Sequence, residues 1–522
     1  MINYLKISKA TDLSGRDRRL YRLLEILPGA LSWGTIIGLA VFSALAPIGT
    51  AVFVILFDIY WLLLVIFLGT HLLISYRAMK RHLKIDWVKK CEELGERVIT
   101  LNESGQTMKL VWRDLYQVVI LPTYNESLEV IRSCFEGIIK AGYPLDRFIV
   151  VLATEERGGE EAVLRAKQIE ADYGQKFARF LITSHPANIV GELKGKGANQ
   201  SFAAKELKRL IIDPEQIDYD KILVNVFDID TVVSPGYFHC LAYTFLTVER
   251  PYRASYQPVP VYHNNIWQAP FFARVAAFSN TFWQMMQQIK PEKLATYSSH
   301  SMTWRALTDI GFWSTNMVSE DSRIFWHCFC FYKGDYRVEP LYFPVSMDIC
   351  MDSNHWTTAR SLYKQQRRWG WGAENIPYLI FNTIKAWPTI TKKKHFINHI
   401  AVQLYGFHSW ATNALITSII GWLPLFLGGE RFNATVLSSN LPGVTRWLMT
   451  LAMVGMVLSA IISLMILPRS KKIGAAKYVI TIVQWVFLPI VIVFFGAIPG
   501  LEAQTRLMFG KYMGFWVTPK HR

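Results

Sequence analysis

Two aspartates, Asp228 and Asp230, stand one residue apart at the end of the apolar run 221–227. Carboxylates at i and i+2 on a strand end can both approach one divalent ion. Mg²⁺ or Mn²⁺ held by one or two carboxylates plus substrate phosphates makes an economical diphosphate site. The same triplet also solubilises ordinary loops. Asp230 is expected to be open to solvent and to support no core. Lys194 and Lys196 alternate with Gly195 and Gly197 ahead of Ala198 and Asn199, where a helix begins. A helix N-terminus beside a lysine welcomes phosphate, and a charged loop reads the same way. Glu155 and Glu156 follow another apolar run and could accept hydrogen bonds from a base or ribose; a solvated loop is the alternative. Ser319, Glu320 and Asp321 precede an aromatic stretch. A carboxylate there could deprotonate a hydroxyl nucleophile or simply mark the start of a helix. Gln365, Arg368 and Trp369 offer a cation for phosphate and a face for a sugar or base, and they suit a basic–aromatic membrane interface equally.

Alternating segments must position these groups. Short β-branched or apolar runs at 118–121, 148–153, 180–183 and 221–227 read as strands, and 126–140, 160–173 and 199–212 carry helical spacing. Strands apolar on both faces, separated by amphipathic helices, imply an α/β fold with a doubly wound, mainly parallel sheet. Ligands of such sheets bind at the carboxyl ends of the strands. The polar clusters Pro122–Glu126, Glu155–Glu156 and Asp228–Asp230 fall there.

The rest of the chain is not soluble in character. Of 522 residues 51% are hydrophobic and only 18% charged, against about 25% in soluble domains. That composition excludes a disordered or collagen-like chain. Residues 26–57 lack charge and the apolar run resumes to 76; 400–429, 447–468 and 478–501 are mostly apolar and long enough to span, since a span needs about 20 residues. The chain therefore divides into an N-terminal segment 1–25, two spans in 26–76, a soluble domain 77–395, about three spans in 396–501 and a basic tail 502–522. Asp58 is expected at the membrane interface, beside Tyr60 and Trp61. Basic clusters before the first span, after the second and at Lys392–Lys394 place the soluble domain in the cytoplasm. Arg469, Lys471 and Lys472 argue for an inside loop, while Arg506, Lys511, Lys520 and Arg522 pull the tail inside too, so a fifth or sixth span and the side of the C-terminus stay open. The net charge of +16 suits an anionic partner, but the basic clusters hug the membrane ends, which argues against nucleic acid. Six cysteines without a C-x-x-C pair read as reduced thiols rather than a metal or disulfide framework. A stripe at Phe271, Val275, Phe278, Phe282 and Met286 suits a helix lying in the bilayer surface with Arg274 near lipid phosphates, or a buried core helix.

Taken in order, Pro-Thr-Tyr-Asn-Glu at 122–126, Lys-Gly-Ala-Asn at 196–199, Asp-x-Asp at 228–230, Ser-Glu-Asp at 319–321 and Gln-x-x-Arg-Trp at 365–369 resemble the membrane-embedded family 2 glycosyltransferases of GT-A fold, the cellulose and hyaluronan synthase-like branch. The tail at Phe515–Lys520 is similar too. The resemblance implies an inverting transferase that moves a sugar from a nucleotide-sugar, with UDP-sugars favoured, to a glycan or lipid hydroxyl at the cytoplasmic face of the cell membrane. It implies polysaccharide synthesis, with single-sugar transfer to a lipid as the alternative and a non-catalytic assembly subunit as a remoter one. Pro122, Tyr124, Glu126 and Glu155 would line the nucleotide pocket, and Lys196 and Asn199 would hold the donor. Asp228 would touch nucleotide or metal, Asp230 would bind Mg²⁺ or Mn²⁺, and Asp321 would be the general base. Gln365, Arg368 and Trp369 would hold the diphosphate and frame the acceptor. The chain departs from the family at Glu155, where Asp is common, and at 297–305, where a Gly-Thr-Asn pattern is missing. Sugar, linkage and oligomeric state are left open.

Overall fold

The computed structural model describes residues 4–101, 105–468 and 474–519; Arg469, Lys471, Lys472, Lys520 and Arg522, which bear on topology, lie outside them. A small antiparallel hairpin, β1 (Arg97–Thr100) and β2 (Thr107–Leu110), precedes the main sheet. The sheet is built from β3 (Tyr116–Pro122), β4 (Phe148–Glu155), β5 (Arg179–His185), β6 (Ile222–Val226), β7 (Val232–Val233), β8 (Ala254–Tyr262), β9 (Ser301–Thr303) and β10 (Arg337–Met347). Among the described residues its eight strands run in the order β5-β4-β3-β6-β9-β8-β10-β7. The β5-β4-β3-β6 half is parallel throughout, and β9 joins it antiparallel to the parallel pair β8–β10. The sheet is α/β as expected, and more mixed.

The parallel half is double-faced because alternate side chains enter two separate cores. Val119 and Leu121 of β3 and Phe148, Val150 and Leu152 of β4 pack on one side. Val118, Ile120, Ile149, Val151 and Ala153 pack on the other. Each such side chain is fully buried, worth about 1.5–3 kcal/mol against exposure. The strands β8 and β10 escape pattern reading because each carries two prolines, which donate no ladder hydrogen bond. The β8–β10 register shifts between Pro340 and Pro344, and Tyr342 takes a positive φ of 48° inside that break.

Among the described residues four helices are long and apolar enough to cross a bilayer: Gly15–Leu45, Pro47–His82, Val436–Ile466 and Ala475–Met508. A fifth is formed if Lys393–Ser418 and Ile420–Leu427, bent by 46°, act as one. Asp58, expected at the membrane interface, is packed between these helices. It is 1% exposed and accepts a hydrogen bond from Thr445 of the Val436–Ile466 helix at 2.9 Å, since a carboxylate among apolar helices needs a protein donor. The stripe helix, Phe271–Gln288, also differs from a surface helix. Phe278 and Phe282 are buried against Trp485, Phe282 stacked on it at 5.7 Å. Arg274 is buried and donates to Gln484 at 2.7 Å, because its guanidinium needs an acceptor once the helix is covered. That helix seats the sheet against the spans. All six cysteines are buried.

Candidate active site

The carboxyl ends of β3, β4 and β6 carry the clusters predicted to lie there. After β6 the chain turns at Phe227, and Asp228 emerges partly exposed while Asp230 turns inward. Asp230 is therefore not the open carboxylate expected: it is 1% exposed, and its Oδ2 accepts the Asp348 backbone N–H at 2.9 Å. Asn264 ties the two together, donating to the Asp230 carbonyl at 3.0 Å and to Asp348 Oδ1 at 2.9 Å. The turn is buried because β10 ends beside it, and Asp348 is a residue that sequence spacing gave no reason to pick.

Lys196 opens the helix Lys196–Leu207, and Gly195 before it has no room for a side chain: a Cβ there would lie 2.5 Å from the ring of Phe515. The Lys196 ammonium sits 2.6 Å from Asp228 Oδ1 and donates to both Asp321 oxygens at 2.9 Å. Burial by itself would lower its pKa, but Asp228, then Asp321 and Glu320, override that and hold it charged, well above the ordinary lysine value. Asp321 and Glu320 lie in the first turn of the helix Glu320–Phe331. Ser319, at the cap position, makes no side-chain cap; its hydroxyl donates to Glu374 at 2.7 Å. Glu320 is 2% exposed. Burial first, then the neighbouring Asp321, push its carboxyl up to about 8, against the pull of Lys196 and Arg368. Glu320 is thus buried, while Asp321 is partly exposed against the lysine.

A third wall, residues 296–301, joins these groups. Thr296 donates to the Asp321 carbonyl and Ser298 to Asp228 Oδ2, each at 2.6 Å. Ser299 and Thr231 share a hydrogen bond of 2.8 Å. His300 is fully buried, its Nδ1 2.9 Å from the Tyr297 carbonyl and its Nε2 without a partner. Burial lowers its pKa. This is the stretch that departs from the family pattern.

At the end of β3, Glu126 closes its own loop, accepting from the Thr123 hydroxyl at 2.9 Å and the Tyr124 N–H at 2.8 Å. Glu155 ends β4 with both oxygens engaged by Arg157, through Nε and through Nη2 at 2.9 Å. The Arg157 guanidinium lies 4.3 Å from the Tyr124 ring centroid. A cleft of about 270 Å³ opens beside them, lined by Glu155, Arg157, His185, Glu192 and Lys194 among others. Arg157 went unremarked as a site residue because a lone arginine after two glutamates resembles any solvated loop. Pro122 ends β3 at the same edge. Asn199 is interior, its amide donating to the Ala153 carbonyl at 2.7 Å, and so ties the helix to β4.

The helix His355–Gly370 supplies Gln365, Arg368 and Trp369. Gln365 and Trp369 line a small cavity with Tyr262, Asn280, Asp348 and Cys350. Arg368 lies 4.7 Å over the Phe515 ring, and its buried Nε has no partner. Among the described residues no group of three or more His, Cys, Asp or Glu is arranged to hold a metal ion. Asp228 and Asp230 still fit Mg²⁺ or Mn²⁺ of the kind completed by donor phosphates and water, being hard oxygen ligands two residues apart.

Residues 223–498, more than half of the chain, match the glycosyl transferase family group 2. The chain belongs to that family, and it is a glycosyltransferase carrying helices fit to cross a membrane. Among curated proteins none matches it. Solved structures that resemble it loosely include the following two. The mannosyltransferase PcManGT of Pyrobaculum calidifontis, in complex with GDP-Man and Mn²⁺, is 14% identical over 79% of this chain and 99% of that one, with a TM-score of 0.43. Residues 1–349 of S. aureus TarS, in complex with UDP-GlcNAc, are 12% identical over 66% of this chain and 90% of that one, with a TM-score of 0.35.

Proposed function

We propose that the protein is an inverting glycosyltransferase of polysaccharide synthesis, with its 77–395 domain on the cytoplasmic face of the cell membrane. It transfers a sugar from a nucleotide-sugar, UDP-linked by preference, to the hydroxyl of a growing glycan. One observation carries this reading: Asp228, Lys196 and Asp321, from three separate elements, converge within 2.9 Å contacts at the carboxyl edge of the sheet.

The roles follow from that convergence. Asp321 accepts the proton of the acceptor hydroxyl as its oxygen attacks the anomeric carbon. The bond from that carbon to the phosphate oxygen breaks on the opposite side, and its electron pair leaves with the nucleoside diphosphate. Lys196, charged and fixed between the carboxylates, and Arg368, with spare donors, face the developing negative charge. The Glu155–Arg157 pair lines the cleft for the nucleoside, and Pro122, Tyr124 and Glu126 at the end of β3 complete the nucleotide side. Gln365 and Trp369, beside the helix that packs on the spans, border the acceptor. Mg²⁺ or Mn²⁺, held by Asp230 and Asp228, would neutralise charge on the leaving diphosphate. Glu320, its carboxyl pushed up by burial and by Asp321, lies buried behind Asp321 and stays out of the proton transfer. The positive-inside arrangement of the basic clusters supports the cytoplasmic assignment.

The test is an assay of purified protein with a panel of UDP- and GDP-sugars, with Mg²⁺ or Mn²⁺, followed by mass and anomeric analysis of products. Inverted products longer than one sugar are expected. Retained anomeric configuration would sink the mechanism, and a single sugar on lipid would sink the polymer reading.

A further inference from the structure

The segment 296–301 overlaps the stretch where the chain departs from the family pattern, and it reaches the Asp228 carboxylate and the Asp321 backbone. Its two tethers reach different groups: the Thr296 hydroxyl to the backbone carbonyl of Asp321, and the Ser298 hydroxyl to Asp228 Oδ2, both at 2.6 Å. Asp228 Oδ1 is already taken by Lys196 at 2.6 Å. With Ser298 on the second oxygen, the plane of the Asp228 carboxylate is fixed from two sides. Between the tethers and the strand β9 stands Ser299, fully buried with φ +65°, a left-handed conformation that a non-glycine residue rarely holds. Its hydroxyl is pinned to Thr231, one residue past Asp230. Such strain persists only where surrounding bonds over-determine the backbone. Here they do so on both sides of Ser298.

From this geometry, and resting on the glycosyl-transfer reading above, we infer that Thr296 and Ser298 are positioning residues with separable tasks. Ser298 orients Asp228 for the donor diphosphate and its divalent ion. Thr296 sets the first turn that carries Asp321. Neither hydroxyl reacts. They hold the donor carboxylate and the base in one fixed relation across a strained turn, so that the acceptor proton and the leaving diphosphate are met at once.

The separation of tasks is what the experiment reads. Full-length protein in detergent is compared as wild type, S298A, S298T, T296V and T296S. Calorimetry measures UDP and GDP binding in the presence of Mn²⁺, and steady-state kinetics give kcat and donor KM. Loss of one hydrogen bond to a charged group is expected to weaken Mn²⁺-dependent nucleotide binding of S298A about tenfold or more, with S298T restoring it. T296V is expected to lower kcat about tenfold while nucleotide binding stays within twofold of wild type, and T296S to recover. Thermal midpoints are recorded for every variant. If S298A binds nucleotide as wild type does, or if both variants lose only thermal midpoint, the tethers are structural and the inference is overturned. If S298A and T296V lose kcat and binding in equal measure, the separation of tasks is wrong. A wild type that binds neither nucleotide overturns the glycosyl-transfer reading itself, a result distinct from a failure of the tethers in a protein that binds.

Discussion

Replacing Lys196 with methionine keeps the length of the side chain and removes its charge. In the native protein the ammonium lies 2.6 Å from Asp228 and 2.9 Å from Asp321, with side-chain exposures of 11%, 24% and 23% for the three groups. At an effective dielectric of about 20, contacts of that length attract by roughly 6 kcal/mol each. Desolvation offsets most of that, and removing one partner of a buried ionic cluster costs about 3–5 kcal/mol in practice, because the remaining charges are left uncompensated. K196M leaves two carboxylates facing each other, with Glu320 behind them. The variant is therefore expected to lose several degrees of thermal midpoint in detergent and to lose donor binding. The thermal loss should be partly restored by millimolar Mg²⁺ or Mn²⁺, which supplies the missing positive charge between carboxylates. Thermal melts with and without the ion, alongside nucleotide titrations, make the measurement. A K196M protein with an unchanged midpoint and unchanged nucleotide affinity would refute the claim that this lysine holds the carboxylates together.

Asp321→Asn keeps the shape of the base but accepts no proton, so kcat should fall by about 10²–10⁴-fold while donor affinity measured by titration stays put; parallel loss of affinity would make Asp321 a donor contact. Asp230→Asn, chosen over alanine because the carboxylate is buried on the Asp348 N–H, should abolish transfer in a folded protein. EDTA should do the same to the wild type, and full activity in EDTA would end the metal assignment. The Glu320 carboxyl stands at about 8 against an ordinary 4.5, so the folded state binds more protons than the unfolded state between those values. Its contribution to stability is complete below about pH 4.5 and is lost as pH rises through 8. Glu320→Gln imitates the protonated form, so its thermal midpoint should decline less than that of the wild type between pH 6 and 9, and parallel curves would contradict the assignment.

The sequence by itself determined the strands and helices whose apolar pattern is local and regular. β3 to β6 and their connecting helices are legible because alternate residues on each strand must enter a core on both faces. It also marked the segments that form helices long and apolar enough to cross a membrane, since some 20 uncharged residues have few other places to go. The ordered motifs named the family before any coordinate was needed. What only the tertiary structure decided is how residues far apart in the chain compensate one another. Lys196 and Asp321 are 125 residues apart, and no spacing rule announces that one ammonium serves both Asp321 and Asp228. Asp58 and Arg274 look like interfacial charges until Thr445 and Gln484 are packed against them. Asn199 reads as a donor ligand and is found bonded to the Ala153 carbonyl. β8 and β10 were hidden by their prolines, which a strand tolerates only where its neighbour's register gives way. Thr296 and Ser298 are ordinary residues in an ordinary-looking stretch; their place beside the Asp321 backbone and the Asp228 carboxylate comes with β9 pairing with β6. Periodicity is a property of neighbours along the chain, whereas charge compensation and hydrogen bonding at a site are settled by contacts that exist only once the chain has folded.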